Sequence, residues 1–82
     1  ATYSVYSISN YHTIIGCRTA TVRLGDKCTV IGNYIVQGDL HVGGWCKVIG
    51  NTISGALING TDCYIIGNYN YTSNSWIPDQ TP

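Results

Sequence analysis

Residues 28–33 read Cys-Thr-Val-Ile-Gly-Asn, and the pattern returns as Cys-Lys-Val-Ile-Gly-Asn at 46–51 and as Cys-Tyr-Ile-Ile-Gly-Asn at 63–68. A more divergent copy, His-Thr-Ile-Ile-Gly-Cys, occupies 12–17, so that successive copies begin 16, 18 and 17 residues apart. A unit this short cannot hold a helix pair or a propeller blade, but it fits one coil of a solenoid. The repeat therefore predicts an all-β fold, a single-stranded parallel β-helix (β-solenoid) of roughly four to five coils, with a right-handed turn expected.

Each full row of the repeat divides into three apolar stretches. In the second row these stretches are 28–31, 34–37 and 39–42, and glycine or asparagine lies between them. Glycine and asparagine tolerate the positive φ that a sharp corner requires. Three strands and three corners per turn predict a roughly triangular prism. We expect one domain over 1–82, with repeat coils at 12–72 and a C-terminal tail or cap at 73–82.

Aligned rows predict which side chains point into the prism. One apolar column contains Ile14, Val30, Val48 and Ile65, and others contain Ile35 with Ile53 and Leu40 with Leu57. Stacked strands lie about 4.8 Å apart, so equivalent residues touch along the axis. Alternation does not place the second isoleucine of each Val-Ile or Ile-Ile pair, because that residue lies beside a corner.

Two further columns carry polar or sulfur atoms. Stacked asparagine amides can donate to one neighbour and accept from the other, so we favour a structural ladder over a ligand site for Asn33, Asn51 and Asn68. The second column contains Cys28, Cys46 and Cys63. Free buried thiols are favoured over disulfides because three in-register cysteines cannot all pair, although both options remain open. No Cys-x-x-Cys pattern occurs, so no metal site is predicted.

Charge is scarce in this chain. Four basic and four acidic residues give a formal net charge of zero. Nucleic acid and anionic membranes bind clustered basic residues, so neither is an expected partner. Paired carboxylates for acid–base chemistry are not evident, and aspartate is a common turn residue. We therefore expect no catalytic residues, no cofactor and no enzymatic activity.

Outward aromatic side chains are the stronger functional candidates. Aromatic rings offer flat apolar faces to sugar rings or to another subunit. Tyr34 and Tyr69 share one outward column, and Trp45 and Tyr64 are also expected at the surface. These four residues are the predicted binding residues.

The Ile-Gly-Asn-x-Ile pattern at 49–53 resembles the right-handed parallel β-helix repeat of pectate-lyase-like enzymes and of bacteriophage tailspikes and appendages. The resemblance covers residues 12–72 and implies a tailspike-like or fibre-like shaft that assembles into homo-oligomers, trimers above all, and contacts cell-surface glycans. It also implies a location in a virion or outside the cell.

Three alternatives belong to other functional classes. The Gly-Asp-apolar rhythm of 38–44 is similar to that of bactofilins, which implies a polymer-forming scaffold and a cytoplasmic filament. A small ice-binding protein would use outward Thr-x-Thr motifs, of which only Thr19-Ala20-Thr21 occurs. A polysaccharide lyase fragment is the last alternative, with Asp39 and Asp62 as the acids to test.

Overall fold

The computed structural model describes the backbone of residues 3–6 and all of residues 10–82. Within these residues the chain forms short strands and no helix. The strands are β1 (Tyr3–Tyr6), β2 (Thr13–Ile15), β3 (Arg18–Arg23), β4 (Thr29–Ile31), β5 (Tyr34–Ile35), β6 (Leu40–His41), β7 (Lys47–Ile49), β8 (Thr52–Ile53), β9 (Leu57–Ile58), β10 (Tyr64–Ile66), β11 (Tyr69–Asn70) and β12 (Ser75–Trp76).

The strands stack as a parallel β-solenoid of about three complete turns, with a partial coil at each end. On the first face β2, β4, β7 and β10 pair in that order. The second face continues from the first half of β3 through β5 and β8 to β11, and the third from the second half of β3 through β6 to β9. The predicted all-β parallel solenoid is confirmed, and its hand stays a prediction.

The unequal row lengths arise at one place, the second corner, which joins the second face to the third. Two residues separate the inward Thr19 from Val22, whereas four separate Ile35 from Leu40. Three residues occupy the same corner in the next coil, and the other spacings between inward positions are constant. In the first coil the chain therefore runs through this corner as the single strand β3, which differs from the three separate strands expected per turn.

The other two corners use left-handed backbone. The first corner joins the first face to the second, and the third corner joins the third face to the first face of the next coil. At the first corner Gly16, Gly32, Gly50 and Gly67 have φ of 64–66°. At the third corner glycine was the expected left-handed residue, but the left-handed residue is instead the one just before the cysteine column. In successive coils these residues are Tyr11, Lys27, Trp45 and Asp62, with φ of 55–65°. The stacked backbone hydrogen bonds hold this conformation despite the strain that a side chain adds.

The core is a continuous stack of inward side chains. The apolar column of the first face is in register, with Ile14 beside Val30, Val30 beside Val48 and Val48 beside Ile65. Ile35 and Ile53 fill the second face and Leu40 the third, all fully buried. The columns expected from the repeat are confirmed, because the spacing within each face is the same in every coil and places equivalent residues on the same side of each strand.

The C-terminal segment reverses direction. After a turn at 71–74, β12 runs antiparallel to β11, with Trp76 opposite Tyr69. Ile77 packs on the core and donates its N–H to the carbonyl of Asn68 at 2.9 Å. Ile65 and Gln80 exchange backbone hydrogen bonds of 2.9 and 2.8 Å. The parallel stack thus ends beneath an antiparallel segment on its first two faces.

Candidate functional site: two outward columns beside the glycine corner

The predicted binding residues do not form one cluster. Tyr34 and Tyr69 lie in one outward column on the second face, with Thr52 between them. Tyr64 lies on the first face, in the column of Lys47. Trp45 is exposed at the third corner. The structure therefore brings together two of the four.

We call Arg18, Tyr34, Thr52 and Tyr69 the tyrosine column. The Arg18 guanidinium carbon lies 5.2 Å from the centre of the Tyr34 ring, within range of a cation–π contact. The Tyr71 ring meets Tyr34 edge-on, with centroids 5.4 Å apart. The Tyr71 hydroxyl donates to the carbonyl of Val36 at 2.9 Å, which fixes that ring against the sheet. The column is therefore an ordered aromatic surface.

Trp76 extends this surface and was missed from the sequence. Its ring meets Tyr69 at 5.0 Å with an interplanar angle of 73°, and the side chain is 70% exposed. Beside it lies a depression of about 360 Å³, lined by Gly67, Trp76, Ile77, Pro78 and Asp79. The tail lacks the repeat, so no column alignment could place Trp76; only the long-range reversal of the chain does.

A second surface on the first face consists of the isoleucines that alternation did not place. We call Ile15, Ile31, Ile49 and Ile66 the isoleucine ladder, since consecutive members are directly paired. Simple alternation holds here because the bend comes one residue later, at the left-handed glycine. The two end residues are exposed, Ile15 at 59% and Ile66 at 39%, and the two central ones are half-buried.

The asparagine column is buried and hydrogen-bonded along its length. The Nδ2 group of Asn33 donates to Oδ1 of Asn51 at 3.0 Å, and that of Asn51 donates to Oδ1 of Asn68 at 2.9 Å. Each of these oxygens also accepts the backbone N–H of the preceding asparagine, at 2.9 Å. Cys17 replaces asparagine in the first coil, and its N–H donates to Oδ1 of Asn33 at 2.8 Å.

The cysteine column is buried, and its three cysteines are not joined by disulfides. Cys46 Sγ accepts the N–H of Cys28 at 3.3 Å and approaches the carbonyl of Gly44 at 3.4 Å. Burial raises the pKa of the Cys46 thiol to about 11, because a thiolate there would lose its hydration. Cys17 is exposed.

Three of the four aspartates are hydrogen-bonded to turns. Asp26, Asp39 and Asp79 accept the backbone N–H groups of Gly44, Ala56 and Gly67, at 2.9, 2.8 and 3.1 Å respectively. In residues 10–82, no group of three or more histidine, cysteine or acidic side chains is arranged to hold a metal ion.

The lone Thr-x-Thr motif does not form an outward array. Thr19 is 1% exposed and points into the core, where its hydroxyl has no hydrogen-bond partner among the described residues. The Thr21 hydroxyl donates to the carbonyl of Gln37 at 3.1 Å, so it too takes part in the packing between coils.

No part of the described chain forms a helix long and apolar enough to cross a membrane. Comparison of the sequence and the structure with protein-family models, curated proteins and solved structures finds no match. The fold and the surfaces above are therefore the basis for any functional conclusion.

Proposed function

We propose that this protein is a non-enzymatic structural module, a rigid β-solenoid shaft that assembles with further copies of itself into a trimer. The isoleucine ladder carries the proposal. Four outward isoleucines in line form a continuous apolar stripe, whereas scattered single apolar residues are ordinary on a soluble surface. A contiguous stripe is typical of a surface that another protein covers.

The hydrogen-bonded polar side chains support a structural role. The amides of the asparagine column bond to one another and to backbone, and three aspartates bond to turn N–H groups. These polar groups hold neighbouring segments of the chain together, whereas a catalytic group would be directed at a substrate. The tailspike-like character of the repeat is what favours a virion or extracellular location.

The aromatic surface supports a second role, contact with glycans. Tyr34, Tyr69 and Trp76 present rings along one face, and the adjoining depression holds the Asp79 carboxylate. Flat rings stack on the apolar faces of sugars, and a carboxylate accepts from their hydroxyls. Trp45 would add a separate contact at the third corner, whereas Tyr64 lies on the first face beside the isoleucine ladder.

Two matched substitutions test the assembly. Ile66 and Ile58 are 39% and 44% exposed, but only Ile66 belongs to the ladder; Ile58 lies on the third face. Sedimentation velocity should show that Ile66→Lys shifts the protein toward monomer, because a buried unpaired ammonium opposes association. Ile58→Lys should sediment as the unmodified protein does. Equal behaviour of the two variants would remove the ladder from the account.

Glycan contact has its own test. On an array of bacterial surface glycans, any binding by the unmodified protein should be lost in Trp76→Ala and retained in Trp45→Ala. Retention in both variants, or no binding by the unmodified protein, contradicts a glycan role for this surface.

A further inference from the structure

The N-terminal end of the tyrosine column carries a guanidinium with unused hydrogen-bond donors. Arg18 is exposed, and its guanidinium carbon lies 5.2 Å from the centre of the Tyr34 ring. Among the residues that the structure describes, none forms an ion pair with Arg18 or accepts a hydrogen bond from it, and residues 1–9 contain no acidic side chain. The ring contact holds the cation at the surface, where its N–H groups can meet both oxygens of a carboxylate.

The next two positions of the column also end in unused polar groups. Tyr34 and then Thr52 lie in register with Arg18, and neither hydroxyl has a hydrogen-bond partner within the described part of the chain. Other hydroxyls of the repeat bind a neighbouring coil, as that of Thr21 does through the carbonyl of Gln37. Sugar hydroxyls both donate and accept, so a row of free polar groups beside exposed rings suits an oligosaccharide.

The opposite end of the aromatic surface carries the opposite charge. Asp79 lines the depression beside Trp76, and its Oδ1 atom accepts the N–H of Gly67 at 3.1 Å. The five residues that line the depression include no cation. The carboxylate there can accept from sugar hydroxyls but repels a second acid. An anionic sugar unit is therefore favoured at Arg18 and disfavoured at Trp76.

The two ends are too far apart for a single sugar ring to reach both. Three strand spacings separate Arg18 from Tyr69, which amounts to about 14 Å in a stacked sheet. Trp76 lies one strand further along the same surface. A glycan that contacts both ends must therefore be an oligosaccharide that lies along the axis of the solenoid.

We infer that this surface binds an acidic oligosaccharide, with the carboxylate of one sugar unit on Arg18 and an uncharged unit against Trp76. The inference rests on the proposed glycan contact and adds the charge and the direction of the ligand. Arg18 is then the residue that determines specificity, whereas the rings supply contacts that neutral and acidic sugars share.

Paired glycans test this assignment on the full chain. An array should carry bacterial surface glycans that contain carboxylated sugars, each beside its carboxyl-reduced, neutral form. The unmodified protein should bind the acidic member of a pair about tenfold more tightly, because a hydrogen-bonded charge pair is lost in the neutral form. Arg18→Gln should bind the two members equally, and Trp76→Ala should bind neither.

Arg23→Gln is the matched control, because it removes the same charge from the other end of β3, on the third face. This variant should keep the preference for the acidic member. Thermal unfolding of Arg18→Gln at the temperature of the unmodified protein would show that the variant is folded, even where its binding is weak.

Two results would overturn the inference while leaving glycan contact intact. One is equal binding of the acidic and neutral members by the unmodified protein. The other is a preference for the acidic member that persists in Arg18→Gln. Failure of the unmodified protein to bind any glycan would instead contradict the proposed glycan role itself, so the two failures are distinguishable.

Discussion

The first and third corners of the solenoid share one backbone design and differ in the side chains that fill it. In each, a left-handed residue is followed by a buried residue that stacks in register, as in Gly32 with Asn33 and Lys27 with Cys28. At the first corner, the bonds between stacked amides measure 2.9–3.0 Å. At the third, hydrogen bonds to and from sulfur measure 3.2–3.6 Å.

The two corners thus share one backbone path but differ in how strongly the buried side chains hold it. Parallel backbone hydrogen bonds stack both corners, so the path does not depend on the buried residue. Amides are strong donors and acceptors, whereas a thiol is weak in both roles. We therefore expect the first corner to contribute more to stability and the third to tolerate more substitution.

The largest expected effect is at the centre of the asparagine column. Asn51→Ala leaves the N–H of Asn33 without its acceptor and removes one of the two acceptors of Asn33 Nδ2, which keeps its bond to the carbonyl of Ile14. It also removes the donor that Asn51 supplies to the carbonyl of Val30. Because buried groups lose their partners, the free energy of unfolding should fall by about 3 kcal/mol. Urea denaturation in reducing buffer measures it.

Cys46→Ala is the matched change at the third corner. It removes one buried sulfur atom from the corresponding column, so the expected loss is about 1 kcal/mol. Losses of equal size in Asn51→Ala and Cys46→Ala would contradict the distinction between the two corners.

Gly50→Ala should have the next largest effect. The position has φ of 65°, and a Cβ there would meet no atom within 4 Å, so only the backbone conformation opposes the change. A non-glycine residue in left-handed geometry costs about 1 kcal/mol, and thermal or urea unfolding should show a loss of this size. An unchanged stability would mean that the first corner relaxes without strain.

At the third corner the opposite change can be made, because glycine can be introduced in place of the left-handed Trp45. Its φ is 55°, so Trp45→Gly should be more stable than Trp45→Ala, by about 0.5–1 kcal/mol once the greater freedom of unfolded glycine is included. Both variants lose the indole, which leaves the backbone as the difference. A more stable alanine variant would show that the two corners are not equivalent.

The last comparison concerns a pH dependence at the third corner, which develops only under alkaline conditions. The pKa of the Cys46 thiol is raised by burial from 9.0 to about 11 in the folded chain. Above about pH 9 the unfolded chain releases this proton and the folded chain does not, so the thiol's contribution is fully present below pH 9 and is lost as pH rises towards 11.

Urea denaturation at a series of alkaline pH values, in reducing buffer, checks this sign. The decline in stability should be shallower in Cys46→Ala than in the unmodified protein, because other titrating groups are common to both. Parallel declines would mean that the thiol ionises equally in the folded and unfolded chains.

The repeat made the core predictable because a fixed spacing places equivalent residues on the same side of successive strands. Val30, Val48 and the asparagine column follow from that rule alone. The positive φ of Lys27 and Trp45 could not be predicted, since isolated non-glycine residues avoid it and only the stacked coils enforce it.

The surface was less predictable than the core. Trp76 reaches Tyr69 through a chain reversal that no repeat encodes, and the isoleucine ladder required knowing that the bend falls at glycine. Residue type alone groups Trp45 and Tyr64 with Tyr34, but they lie on other parts of the prism. Which faces meet in an assembly depends on which side chains lie next to one another on the folded surface, and a linear alignment does not show this.

The most direct test of self-assembly is the mass of the unmodified protein by light scattering, over a concentration series in reducing buffer. The account predicts a plateau at three times the 8.9 kDa of one chain as the concentration rises. A mass of 8.9 kDa throughout would contradict it, and so would open-ended growth, which is the behaviour of a polymerising scaffold.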